Sequence, residues 1–175
     1  PLNGNSGLVE VKNLAQRIRQ QGMKVWLTVH YSDTWADPGN QSKPVAWQSY
    51  SFAELKAAVA VYTNQIMSEI NPDIIQIGNE TNDGMLWPEG KASTNMANFA
   101  SMVNAGYNAV KAINSNIKVI VHLSNGYDNA LFRWMFDGLK NNGANWDVIG
   151  VSLYPDVSTW ATLNTQCLAN MNDMV

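Results

Sequence analysis

The chain has 175 residues, 46% of them hydrophobic and only 14% charged, with a formal net charge of −3 and a pI near 5.2. That is material for one globular core and not the composition of a disordered chain. Its eleven Lys and Arg are scattered, which argues against a nucleic-acid groove, and no apolar run approaches the roughly 20 residues of a membrane span.

Leu8, Val11, Ala15 and Ile18 recur at helical spacing up to Gly22, and Met23 to His30 then reads as a strand. Phe52, Leu55, Val59, Tyr62, Ile66 and Ile70 mark a long amphipathic helix ended by Asn71-Pro72, with the next strand over Asp73 to Asn79. Met96, Phe99, Val103, Tyr107, Val110 and Ile113 predict a third helix, followed by a strand from Ile117 to Leu123. A helix over Asn129 to Asn142, a strand over Asp147 to Tyr154 and a last helix from Thr159 complete the pattern. Short, nearly continuous apolar strands suit a sheet covered on both faces. Among the tryptophans, Trp26, Trp134 and Trp146 read as core or packing residues. The single cysteine, Cys167, leaves no internal disulfide or cysteine metal cluster; it reads as a small buried hydrophobe in the last helix. The sequence starts at Pro1, so the natural start is expected to lie outside it.

Alternating helices and strands require a parallel sheet with right-handed crossovers, either doubly wound or part of a closed (β/α)8 barrel. No Gly-rich phosphate loop follows any strand, which removes the nucleotide-binding version. All four strands instead end in polar or aromatic residues: His30 to Asp33, Asn79-Glu80, His122 to Asn125, and Ser152 to Asp156. Such convergence is expected of a barrel active site, where rigid strands fix side chains and the following loops shape the pocket.

Glu80 is the candidate proton-transfer group because it closes a buried strand beside an amide, whereas Glu10, Glu54 and Glu69 fall in helical patterns and Glu89 in a loop. The plain alternative is a carboxylate that caps a turn or pairs with a lysine. His30 and His122 occupy equivalent strand ends, where they are either satisfied core residues or contacts to substrate or to a carboxylate. Their surroundings lack zinc or calcium ligand spacing, so no metal is assigned. Trp35, Trp47 and Trp87 lie in loops after strands, where an indole offers its face to the C–H side of a sugar ring or packs under a lid.

The run His30-Tyr31-Ser32-Asp33-Thr34-Trp35-Ala36-Asp37-Pro38-Gly39-Asn40-Gln41, followed by Lys43-Pro44 and Ala46-Trp47, resembles the strand-three loop of glycoside hydrolase family fifty-three, the arabinogalactan endo-β-1,4-galactanases. The resemblance continues through Ile77 to Glu80, Gly84 to Gly90, Val121 to Leu123 and Gly150 to Pro155, essentially the whole chain. It implies a retaining glycosidase on a TIM barrel, with this chain covering helix two to helix six, strands three to six, as one partial domain truncated at both ends. The expected start falls in Asn3-Gly4-Asn5-Ser6-Gly7.

On that resemblance Glu80 is the acid/base and Asn79 contacts the sugar 2-hydroxyl. Tyr154 would lean on the nucleophile, and His30, Asp33, Trp35, Trp87, His122 and Asn125 are the candidate substrate contacts, with the alternatives above still open. Some relatives carry an Asp-Asp pair where this chain has Ser124-Asn125. The nucleophile, a Glu ending strand seven, has no counterpart in these residues, so the fragment by itself is expected to be inactive. No cofactor is implied; the family's calcium site, where present, lies in late loops beyond this chain. The resemblance further implies a secreted enzyme acting on galactan or galacto-oligosaccharides, monomeric when complete, without nucleic-acid or membrane partners. The alternatives are a β-1,4-mannanase or cellulase of the same clan, and a non-catalytic carbohydrate-binding protein.

Overall fold

The structure, a computed structural model, describes residues 6–175; the expected start at Asn3-Gly4-Asn5 lies outside the described residues. Helix α1 (Leu8–Gln20) leads to strand β1 (Trp26–Val29), a 3-10 turn at Val45–Trp47, α2 (Phe52–Glu69) and β2 (Ile74–Ile77). Then come α3 (Ala92–Ile113), β3 (Lys118–Leu123), α4 (Asn129–Asn141), β4 (Val148–Val151) and α5 (Trp160–Met174).

The four strands are parallel and lie in the order β1-β2-β3-β4. A doubly wound sheet reverses its strand order at a switch point, whereas a barrel adds each new strand on the same side. The unreversed order is therefore that of part of a (β/α) barrel. Registers of Val29 with Ile77, Gln76 with Ile120, and His122 with Gly150 bring the C-terminal strand ends to one rim.

Local chemistry accounts for the boundaries. Ser51 caps α2 in a capping box: its side chain accepts from the Glu54 backbone N–H, and the Glu54 carboxylate accepts from the Ser51 N–H. In α3 the backbone of Asn95 is non-helical, and its side chain accepts from Asn98 N–H, so the regular helix begins at Met96. The Asp128 side chain accepts from Leu131 N–H at the start of α4. Leu55, Val59, Phe99, Val103, Phe132 and Leu139 project from these helices onto the buried strand residues Ile75, Ile77, Val119 and Val121. Among the described residues, no helix is long and apolar enough to cross a membrane.

Three readings are corrected. β1, β2 and β4 are four residues each, shorter than expected: β1 begins only at Trp26, and all three stop where the chain turns into the rim loops. Trp26 is 59% exposed, since it opens an outer strand with a neighbour on one side only, and Trp134 lies on the exposed face of α4; Trp146 does pack, 5.3 Å from Phe136. Cys167 is half-buried in α5.

Candidate active site

Glu80 sits three residues past β2, and its backbone is left-handed, with φ of 44°. A side chain with a Cβ rarely adopts that region, so surrounding contacts must hold it there. They come from the end of β3 and from the loop after β1. The Glu80 N–H donates to His122 Nδ1 at 3.2 Å, and the Asn79 carbonyl accepts from Gln41 Nε2 at 2.8 Å. Beyond Glu80, Thr81 N–H donates to the His122 carbonyl at 2.9 Å. The Tyr154 hydroxyl, on an otherwise 78% exposed side chain, reaches Glu80 Oε1 at 3.4 Å.

His122 is 8% exposed. A peptide N–H can only donate, so Nδ1 is the acceptor and the ring hydrogen of the neutral imidazole lies on Nε2, 2.9 Å from Ser152 Oγ. Gln76 Nε2 also approaches Nδ1, at 3.1 Å, and donates to Asn79 Oδ1 at 3.2 Å. Gly150 makes room for the ring, because a Cβ there would stand 2.7 Å from Ile120 Cγ2 and 3.1 Å from His122 Cδ2. His30 repeats the pattern: its Nδ1 accepts from Ala36 N–H at 2.9 Å, and its ring lies 4.7 Å from that of Trp35. Burial lowers the pKa of both histidines, against the opposing pull of the Glu80 carboxylate. Each is therefore a neutral N–H donor through Nε2 near neutral pH.

Asn79 is buried, with Oδ1 held by Gln76 and Nδ2 donating to the Ala36 carbonyl at 2.8 Å, which leaves one Nδ2 hydrogen without a protein partner. Asp33 Oδ2 accepts from Val45 N–H at 2.7 Å, tying down its own loop. Asn125, exposed and also left-handed at φ of 57°, turns the chain out of β3. Trp35 is exposed, at 71%. Trp87 is not: it is half-buried, its indole N–H donates to the Asp83 carbonyl at 2.8 Å, and Lys91 Nζ covers the ring at 4.9 Å. Trp47 packs against Tyr50 and Tyr62. Among the described residues, no group of three His, Cys, Asp or Glu side chains is placed to hold a metal ion.

Gln41, Gln76 and Ser152 carry this network without having been singled out from the sequence. Gln76 did leave a trace there, as a polar residue inside the apolar run Ile74-Ile75-Gln76-Ile77. Gln41 closes the run that carries the family resemblance, but its role was not visible there, because the carbonyls of Asn79 and Glu80 that it meets lie 38 and 39 residues away.

Fold and rim together define a segment of a (β/α) barrel with a carboxylate site at the C-terminal ends of its strands. The family model described as Glycosyl hydrolase family 53 matches residues 1–175, and the chain belongs to that family. The probable arabinogalactan endo-beta-1,4-galactanase A of Aspergillus fumigatus is 36% identical over 185 residues, an alignment covering 98% of this chain and 52% of that protein. The solved GH53 catalytic domain of Ignisphaera aggregans superposes with a TM-score of 0.81 at 41% identity, over 87% of this chain and 43% of its own. A structure from a study of two fungal beta-1,4-galactanases does so at 0.88 and 33% identity, over 99% of this chain and 56% of its own. The chain thus spans about half the length of the curated relatives it matches.

Proposed function

We propose that these residues form the acid/base side of an endo-acting β-1,4-galactanase that retains anomeric configuration, with Glu80 as the acid/base. The observation that carries this reading is Glu80 itself: a rim carboxylate held in a left-handed backbone by the end of β3 and the loop after β1, with a tyrosine hydroxyl on Oε1.

In the first step the nucleophilic carboxylate, expected from strand seven outside these residues, bonds to the anomeric carbon as the glycosidic C–O bond breaks, and the Glu80 proton passes to the departing oxygen. In the second, Glu80 takes a proton from water as that water attacks the anomeric carbon and releases the enzyme carboxylate. The free Nδ2 hydrogen of Asn79 suits the sugar 2-hydroxyl, and His30 Nε2–H supplies a neutral donor beside the exposed face of Trp35. Asn125, exposed on the same rim, is a further polar contact for substrate. The complete protein would be a closed (β/α)8 barrel, monomeric and secreted, working on polymeric galactan.

The experiment is hydrolysis of purified β-1,4-galactan, β-1,4-mannan and cellulose by the complete enzyme and its Glu80→Gln variant. Galactan should be the preferred polymer, and Glu80→Gln should lower its turnover by roughly 10²- to 10⁴-fold. Preference for mannan or cellulose would refute the substrate, and near-normal galactan turnover by the variant would refute the acid.

A further inference from the structure

We infer that Gln41 and His122 act together as a clamp on the peptide group between Asn79 and Glu80, and so are positioning residues for the acid/base. The inference rests on the reading of Glu80 just given.

That peptide has one carbonyl and one N–H, and each is held by a side chain from a different neighbouring segment, the loop after β1 and the end of β3. The carbonyl of Asn79 accepts from Gln41 Nε2 at 2.8 Å, from the loop that follows β1. The N–H of Glu80 donates to His122 Nδ1 at 3.2 Å, from the end of β3. Gripping both ends fixes the rotation of the peptide plane, which sets φ of Glu80 at its left-handed value and the direction in which its Cα–Cβ bond leaves the chain. Neither holder is free to drift. Gln41 is 2% exposed, and the same Nε2 group also donates to the Asp37 carbonyl at 2.9 Å and reaches the Glu80 carbonyl at 3.4 Å. Three carbonyls converging on one nitrogen fix the amide orientation, since the opposite one would aim its oxygen at all three. His122 is held at its other nitrogen by Ser152. Displacements of an ångström at a reacting group cost large factors in rate, which is why such support matters for a proton donor.

The clamp predicts a selective defect. Departure of a sugar hydroxyl from galactan needs the Glu80 proton, whereas 2,4-dinitrophenolate departs without one. For each variant of the complete enzyme, kcat/KM on galactan is divided by kcat/KM on 2,4-dinitrophenyl β-galactobioside. Both constants come from one preparation, so any misfolded fraction cancels in the ratio. Gln41→Met and His122→Leu should each lower the ratio by about 10- to 100-fold. His122→Asn, which returns an oxygen acceptor near the place of Nδ1, should recover most of the loss. Ratios within about twofold of the parent for Gln41→Met and His122→Leu, or His122→Asn as impaired as His122→Leu, would overturn the clamp. Glu80→Gln serves as the reference: if it too leaves the ratio unchanged, the acid assignment fails rather than the clamp.

Discussion

Lys43 and Glu89 join the two loops that flank Glu80, with Nζ 2.9 Å from Oε1 and the lysine side chain only 7% exposed. Lys43 also donates to the Gln48 carbonyl at 3.0 Å, while the second carboxylate oxygen of Glu89 is buried without a partner. Removing the cation would leave that carboxylate uncompensated in a partly dry setting. Lys43→Met should therefore destabilise the complete enzyme by about 2 to 3 kcal/mol, read from the urea midpoint, and more than Glu89→Gln does. Equal and negligible effects would show that the pair is only a surface contact.

The two loop tryptophans should separate binding from stability. Trp35→Ala removes an exposed plate and should weaken galacto-oligosaccharide binding by about 0.5 to 1.5 kcal/mol with the melting temperature nearly unchanged. Trp87→Ala removes a half-buried indole together with its bond to Asp83 and its contact with Lys91, and should lower stability by about 2 kcal/mol. Calorimetry and thermal melts on the same proteins check both; a reversed pattern would mean that Trp87 is the sugar plate.

Acid should weaken the fold through its two histidines. Both have pKa values lowered by burial, so as pH falls the unfolded chain takes up protons first, beginning near 6.5. Their contribution is complete above that pH and is lost as pH falls through the lowered folded values. Protonating His122 at Nδ1 would also place a hydrogen against the Glu80 N–H and Gln76 amide that now donate to it. Melting temperature measured from pH 7.5 to 4.5 should fall over this window, and His122→Asn should flatten the fall. A profile unaltered by that substitution would place the acid sensitivity elsewhere.

Residues 1–175 alone should release no reducing ends from β-1,4-galactan above the buffer rate. The two aspartates at the rim tie down their own loops, Asp33 through Val45 N–H and Asp156 through the N–H and hydroxyl groups of Ser158 and Thr159, and the proposed reading gives neither the role of nucleophile. Among the described residues, the outer strands β1 and β4 also each pair on one side only, and residues 1–175 alone should self-associate on a sizing column. Hydrolysis abolished by Glu80→Gln and by loss of either aspartate would reveal a different catalytic pair.

Much of this arrangement was legible in the order of residues. Period 3.6 in Leu55, Val59 and Ile66 marks the buried face of α2, and the change to polar residues after Ile77 and Leu123 marks the rim. What escaped was pairing between distant segments. Nothing local distinguishes Gln41, whose amide meets Asn79 only after three elements have packed, and an apolar strand residue such as Trp26 looks the same whether its strand is inner or outer. Likewise, a tryptophan in a loop carries no sign of the lysine that will cover it, as at Trp87.

With Glu80 as the proposed acid/base, its left-handed backbone implies a trade between catalysis and durability. An ordinary side chain in that region costs about 1 to 2 kcal/mol, which glycine does not incur. Position 80 would thus be occupied more comfortably by a residue that cannot transfer a proton. Glu80→Gly should give a dead enzyme that melts no lower than its parent, whereas Glu80→Val, branched at Cβ, should lose stability as well as activity. Random mutagenesis screened for heat resistance alone would then drift away from the acid, and only a screen that also demands turnover would keep it.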